Sequence, residues 1–241
     1  MSYHGTYIQA PRHPWPCFLF LLPLLFAYEG GVLWLGGTQP EMLRNGADTW
    51  FRKALEWCGM EELYWAPMLL AAGLLVWSWL CWRDKPDDLF GVWLGMAIES
   101  VAFALGLWGV SRALGPVLEH FGITLNYSPH VQRAVGQIVT YVGAGIYEET
   151  LFRLILFAGL CRLLRYMFGL LVAVILAAAA SALLFSAAHH VGPFGDPFDG
   201  YVFLFRTIAG VYFAVLMETR GFGIAVGAHA CYDVLVGASV G

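Results

Sequence analysis

MFGLLVAVILAAAASALLFSAAH, Met167 to His189, contains no Asp, Glu, Lys or Arg. A hydrocarbon core of about 30 Å takes about 20 consecutive apolar residues in a helix to cross. Inside it every backbone polar group must be paired within the protein, which leaves only helices and closed barrels as spanning structures. Barrel strands would show short segments of alternating polarity, and this run has none. It is read as a transmembrane helix.

Working outward from it, further apolar runs lie near residues 18–36, 63–82, 89–114, 132–158, 201–218 and 222–240. The expected fold is therefore all-α, a polytopic membrane bundle of six to eight transmembrane helices. Composition agrees: 59% of the 241 residues are apolar, 12% are charged and the mean hydropathy is +0.67. A soluble domain carries about a quarter charged residues. Arg12 ahead of the first run resembles the start of a signal peptide, but Pro23 interrupts the run and no small-residue cleavage site follows it. The first span is expected to be retained.

Between the first two spans the pattern changes. Trp50, Phe51, Ala54, Leu55 and Trp57 or Cys58 recur at helical spacing, with Arg52, Lys53 and Glu56 on the other face. This predicts an amphipathic helix in the headgroup plane. Breaks follow at Arg83 to Asp88 and at Gly192 to Gly200. The 13 basic and 17 acidic residues form no run, so nothing favours nucleic acid as a partner. Five cysteines without a CxxC pair argue against a disulfide framework and a structural zinc site. On the excess of Lys and Arg in cytoplasmic loops, Arg83, Lys85, Arg162, Arg165 and Arg220 fall on one side, against Arg44, Arg52, Lys53 and Arg133 on the other.

An ionisable side chain within a span is a functional hypothesis by default, since insertion costs about 2.5–3.5 kcal/mol for Asp, Lys or Arg at the helix centre. That filter selects Glu29, Glu99, Glu148, Glu149, Arg153, His189, His190, Arg206, His229 and Asp233. In the fourth span Glu149 and Arg153 are four apart, share a helix face and form a self-neutralising pair. Glu148, turned by about 100°, is left without that partner. In the fifth span Phe185 and His189 share a face, and small Ser186, Ala187 and Ala188 allow a close neighbour; His190 reads as a packing residue near the interface. In the last span His229 and Asp233 form another i, i+4 pair. A polar cluster enclosed by the bundle satisfies all three helices.

These motifs resemble those of the CAAX protease and bacteriocin-processing family of intramembrane proteases, also called type II CAAX prenyl endopeptidases or Abi proteins. The family pattern is Glu-Glu-x-x-x-Arg, Phe-x-x-x-His and His-x-x-x-Asn or Asp, each on its own helix. Here it stands in order as Glu148-Glu149 with Arg153, Phe185 with His189, and His229 with Asp233. The resemblance covers about residues 130–241. Residues 1–130, with the N-terminal transmembrane helices and the interfacial helix, carry no assignable motif, whereas 131–241 form the expected catalytic core.

The resemblance implies an endopeptidase without a cofactor, acting on a membrane-anchored peptide, prenylated or not, in a bacterial-type inner (cell) membrane. It implies that Glu148 is general base, that His189 holds the water, and that His229 and Asp233 form the oxyanion site. Glu149, Arg153 and Phe185 support them. Asp233 stands where many members have Asn, and a carboxylate there either carries a proton or orients His229 as the donor. Two other classes are weighed. A zinc hydrolase would use His189, His190 and His229 with a glutamate, although no His-Glu-x-x-His helix is present. A scaffold, immunity factor or transporter component would use the polar cluster for packing or proton movement, with Glu29 and Glu99 as relay acids.

Overall fold

The apolar runs are helices. In a computed structural model of the chain, residues 7–123, 134–192 and 195–239 are described, and all regular structure among them is helical. Helix α1 (Pro14–Gly36) opens with Pro14 in its first turn, where the missing N–H has no intrahelical partner to lose. A connection with a short 3-10 helix, Pro40–Leu43, leads to α2 (Gly46–Glu56), capped by Asn45. Helices α3 (Trp65–Leu80) and α4 (Leu89–His120) follow. Helix α5 (Ala134–Glu149) runs without a break through a π-helical stretch, Thr150–Phe157, into α6 (Ala158–Leu164). Helices α7 (Leu170–Ala188), α8 (Gly200–Arg220) and α9 (Phe222–Ser239) complete the bundle. The boundary expected at 130/131 and Arg133 lie outside the described residues.

Four helices, α1, α4, α7 and α8, are long and apolar enough to cross a membrane, while α3 and the Phe222–Gly237 part of α9 are shorter apolar helices. Helix α9 packs against α1, α4, α5 and α8, and Ile224, Ala225, Val226 and Ala228 have no exposed surface. Protein rather than lipid surrounds its first half. Helix α7 shows how the others meet the membrane. Its small Ala173, Ala177 and Ser181 are buried, whereas Leu171, Ile175 and Leu183 point outward. Small residues at helix contacts are the usual rule in membranes, where tight packing must replace the hydrophobic drive.

Helices α5 and α9 approach closely at Gly145. A Cβ there would lie 2.8 Å from the Val226 carbonyl oxygen and 2.9 Å from the Ala230 backbone nitrogen. Gly145→Leu is therefore expected to force the two helices apart and to destabilise the bundle by about 1–3 kcal/mol, measured as loss of unfolding midpoint in mixed micelles. Gly143, two residues earlier and on another face of α5, makes room for the Tyr28 ring.

Helix α2 differs from the expected interfacial helix in one respect. Trp50, Lys53, Glu56 and Trp57 are exposed, but Asp48 and Arg52 are buried with Ala47. Arg52 is turned inward because three acceptors await it: Asp48 Oδ1 at 2.7 Å, Glu29 Oε1 at 3.0 Å and the Leu63 carbonyl. Arg44 is buried in the same cluster, 2.7 Å from Asp48 Oδ2 and 3.3 Å from Glu29 Oε2. Neither arginine is a loop charge, so neither belongs in the topology count.

Candidate active site

The end of α5, the end of α7 and the middle of α9 converge. Glu148 and Glu149 are the last residues of α5 before the π-helical stretch, a local geometry frequent at functional sites. Glu149 is fully buried, its Oε2 3.2 Å from Arg153 Nε and its Oε1 2.8 Å from His229 Nδ1. The predicted Glu149/Arg153 pair thus forms, but Glu149 also grips the imidazole of another helix. The guanidinium of Arg153 lies over the Phe185 ring at 4.3 Å and donates to the Gly210 carbonyl at 3.4 Å.

Glu148 has different company. Its Oε1 accepts a hydrogen bond from Asn45 Nδ2 at 2.8 Å. Its Oε2 lies 3.8 Å from His189 Nε2 and 3.8 Å from His229 Nε2. At that separation there is no direct hydrogen bond, so this oxygen and both imidazole nitrogens are turned toward one small space without being locked together.

Both imidazoles are held from behind. His189 caps α7, and its Nδ1 donates to the Phe185 carbonyl at 2.8 Å. A carbonyl only accepts, so the hydrogen sits on Nδ1 and Nε2 of the neutral ring carries the lone pair. Phe185 meets the His189 ring edge-on at 4.9 Å. His229 donates from Nδ1 to Glu149 and stacks on Phe213 of α8 at 4.5 Å between centroids. Asp233 approaches His229 from the Nε2 side, with Oδ2 at 3.5 Å. Asp233 thus flanks the Nε2 edge of the ring, while Glu149 of α5 holds the Nδ1 edge.

Glu148, His189, His229 and Asp233 line a cavity of about 820 Å³. Tyr141, Tyr201, Phe205 and Tyr232 give it aromatic walls, and Arg112 and Arg206 add positive charge. His190 does not share the site: its Nδ1 donates to the Asp196 carbonyl at 3.0 Å and its ring lies against Phe198 and Phe203. The trio His189, His190 and His229 therefore does not converge on one ion. Among the described residues no three His, Cys, Asp or Glu side chains form a group able to hold a metal.

The two acids suited to a relay are engaged elsewhere. Glu29 receives Arg44, Arg52 and, at 2.9 Å, the Tyr147 hydroxyl. Glu99 pairs with Arg220 at 2.5 Å. Burial, then the hydrogen bond to and the charge of Glu99, push the Tyr7 phenol up to about 12, so it stays protonated at neutral pH. Both acids anchor helices rather than reaching the cavity. Spacing alone missed Asn45 and Phe213. The pair Asn45-Gly46 before an amphipathic run was a readable capping signal, but nothing local marks its amide as a partner of Glu148.

Fold and cluster together define a polytopic helical membrane protein with a buried carboxylate facing two imidazoles across a cavity. Residues 130–235, somewhat less than half of the chain, match the family model described as Type II CAAX prenyl endopeptidase Rce1-like, and that segment is similar to this CAAX protease family. That similarity and the four long apolar helices support an integral membrane protein. No curated protein and no solved structure matches the chain.

Proposed function

We propose that the protein is an intramembrane endopeptidase that hydrolyses a peptide bond of a membrane-anchored substrate with a water activated by Glu148 and His189. The observation that carries this reading is the position of Glu148 Oε2, 3.8 Å from each imidazole Nε2 on the wall of the cavity. Glu148 takes a proton from a water held by the lone pair of His189 Nε2. The water oxygen attacks the peptide carbonyl, and the proton returns to the leaving amine through His189. Donors aimed at the developing oxyanion supply the rest of the rate. His229 fills that role from Nε2 as an imidazolium, since its Nδ1–H is already given to Glu149.

Asp233 lies beside the same Nε2, where a charged carboxylate would repel the oxyanion and a protonated one donates to it. Asparagine has the same shape with a permanent donor. Asp233→Asn is therefore expected to keep activity within about tenfold of wild type, against a loss of about 10²-fold or more when an oxyanion donor is removed. Turnover of a fluorescent peptide in nanodiscs checks this; inactivity of Asp233→Asn would mean that the carboxylate itself is required.

The substrate is a membrane-held peptide that enters the aromatic cavity extended, prenylated or unprenylated. The test is to present both kinds of peptide to the purified protein with and without a chelator, and to identify by mass spectrometry the peptide retained by Glu148→Gln. Cleavage by wild type in the presence of chelator supports the reading. Intact peptides in every condition, or activity lost to the chelator, oppose it.

A further inference from the structure

Asn45 is 103 residues from Glu148 in sequence and lies outside the segment that matches the family. Among the described residues it nonetheless makes the one direct hydrogen bond to the Glu148 carboxylate, 2.8 Å from Nδ2 to Oε1. Its amide has no freedom to turn over. Oδ1 caps α2, accepting from the Ala47 N–H at 2.7 Å and the Asp48 N–H at 3.4 Å. A flipped amide would set its NH₂ against those N–H groups and its oxygen against the carboxylate, losing the cap and adding repulsion.

The turn that carries Asn45 is itself pinned. The Asn45 N–H donates to the Tyr28 hydroxyl at 3.3 Å, and that hydroxyl donates to Asp48 at 2.8 Å. Asp48 also takes Arg44 and Arg52, and both arginines reach Glu29. Glu29 in turn accepts from Tyr147, the residue before Glu148. Thr140 of α5 donates to the Leu43 carbonyl at 3.0 Å, tying the same turn to the glutamate's own helix. The amino-terminal segment thus grips α5 at Thr140 and Tyr147, in the turns leading up to Glu148.

We infer that Asn45 is a positioning residue for Glu148: by occupying Oε1 it dictates that Oε2 is the oxygen presented to His189 and His229. The N-terminal segment then completes the site instead of merely anchoring the core. This rests on the proposed role of Glu148 for its catalytic consequence, but not for the contact itself.

Two substitutions separate positioning from folding. Serine and aspartate both cap helices well, so Asn45→Ser and Asn45→Asp keep α2 while removing the amide donor. The first readout needs no activity. The infrared difference spectrum of wild type minus Glu148→Gln isolates the Glu148 carboxyl band, and in Asn45→Ser that band is expected to shift at an unchanged unfolding midpoint. An unmoved band overturns the inference. The second readout is kinetic: in Asn45→Ser kcat falls by about 10-fold with KM nearly unchanged, and in Asn45→Asp, where a second carboxylate replaces the donor, by about 10²-fold. A shifted band with no cleavage by wild type overturns the protease reading alone. Cleavage by wild type, none by Glu148→Gln, and full kcat in both Asn45 variants overturns the positioning role.

Discussion

Glu148→Gln is expected to lower peptide cleavage by about 10²–10⁴-fold, the range that a positioned general base contributes, while the purified protein keeps its unfolding midpoint. Glutamine has the volume of glutamate and its Oε1 still accepts from Asn45 Nδ2, so that buried hydrogen bond survives. What disappears is a lone pair basic enough to take a proton from water. Glu149→Gln is the informative companion. Its carboxylate holds His229 Nδ1 and neutralises Arg153, so that variant is expected to lose stability as well as rate. If Glu148→Gln cleaves as fast as wild type, the base lies elsewhere and the proposed mechanism fails. Turnover in nanodiscs beside a thermal melt distinguishes the two glutamates.

Arg153→Met is expected to cost about 3–5 kcal/mol of stability, the usual result of breaking a buried ion pair from one side. Arg153 and Glu149 are both buried, at 1% and 0% exposure. Removing the cation leaves Glu149 with only His229 as counter-charge. It also takes the guanidinium off the Phe185 ring and uncaps the Gly210 carbonyl. The double variant Glu149→Gln/Arg153→Met removes both charges, and it is expected to regain most of the loss, because replacing a whole buried pair by neutral side chains is often close to neutral. Unfolding in mixed micelles measures both. A single variant as stable as wild type would mean that Glu149 finds its compensation entirely in His229.

How far residue spacing carries can be judged on particular pairs. Glu149 with Arg153 and Phe185 with His189 are each four apart on one helix, and both contacts exist as helical geometry requires. The same rule put His229 beside Asp233, and they are near each other at 3.5 Å. It is silent on which nitrogen is held, because Glu149 reaches that ring from another helix, 80 residues away in sequence. It failed on α2. Amphipathic spacing sends charges outward by default, whereas Arg52 and Asp48 find partners inside on α1. Glu29 and Glu99 looked available for a relay only because Arg44, Arg52 and Arg220 are remote from them along the chain.

From sequence alone came the helical membrane architecture, the short set of ionisable residues within it and their order, because hydropathy and helical period are properties of neighbours along one chain. Tertiary structure decided which charges cancel, which histidines face the cavity and which carboxylate oxygen is left open. Those outcomes depend on contacts between segments as much as 103 residues apart, and in a medium without water each polar group must find whatever partner the packing brings to it.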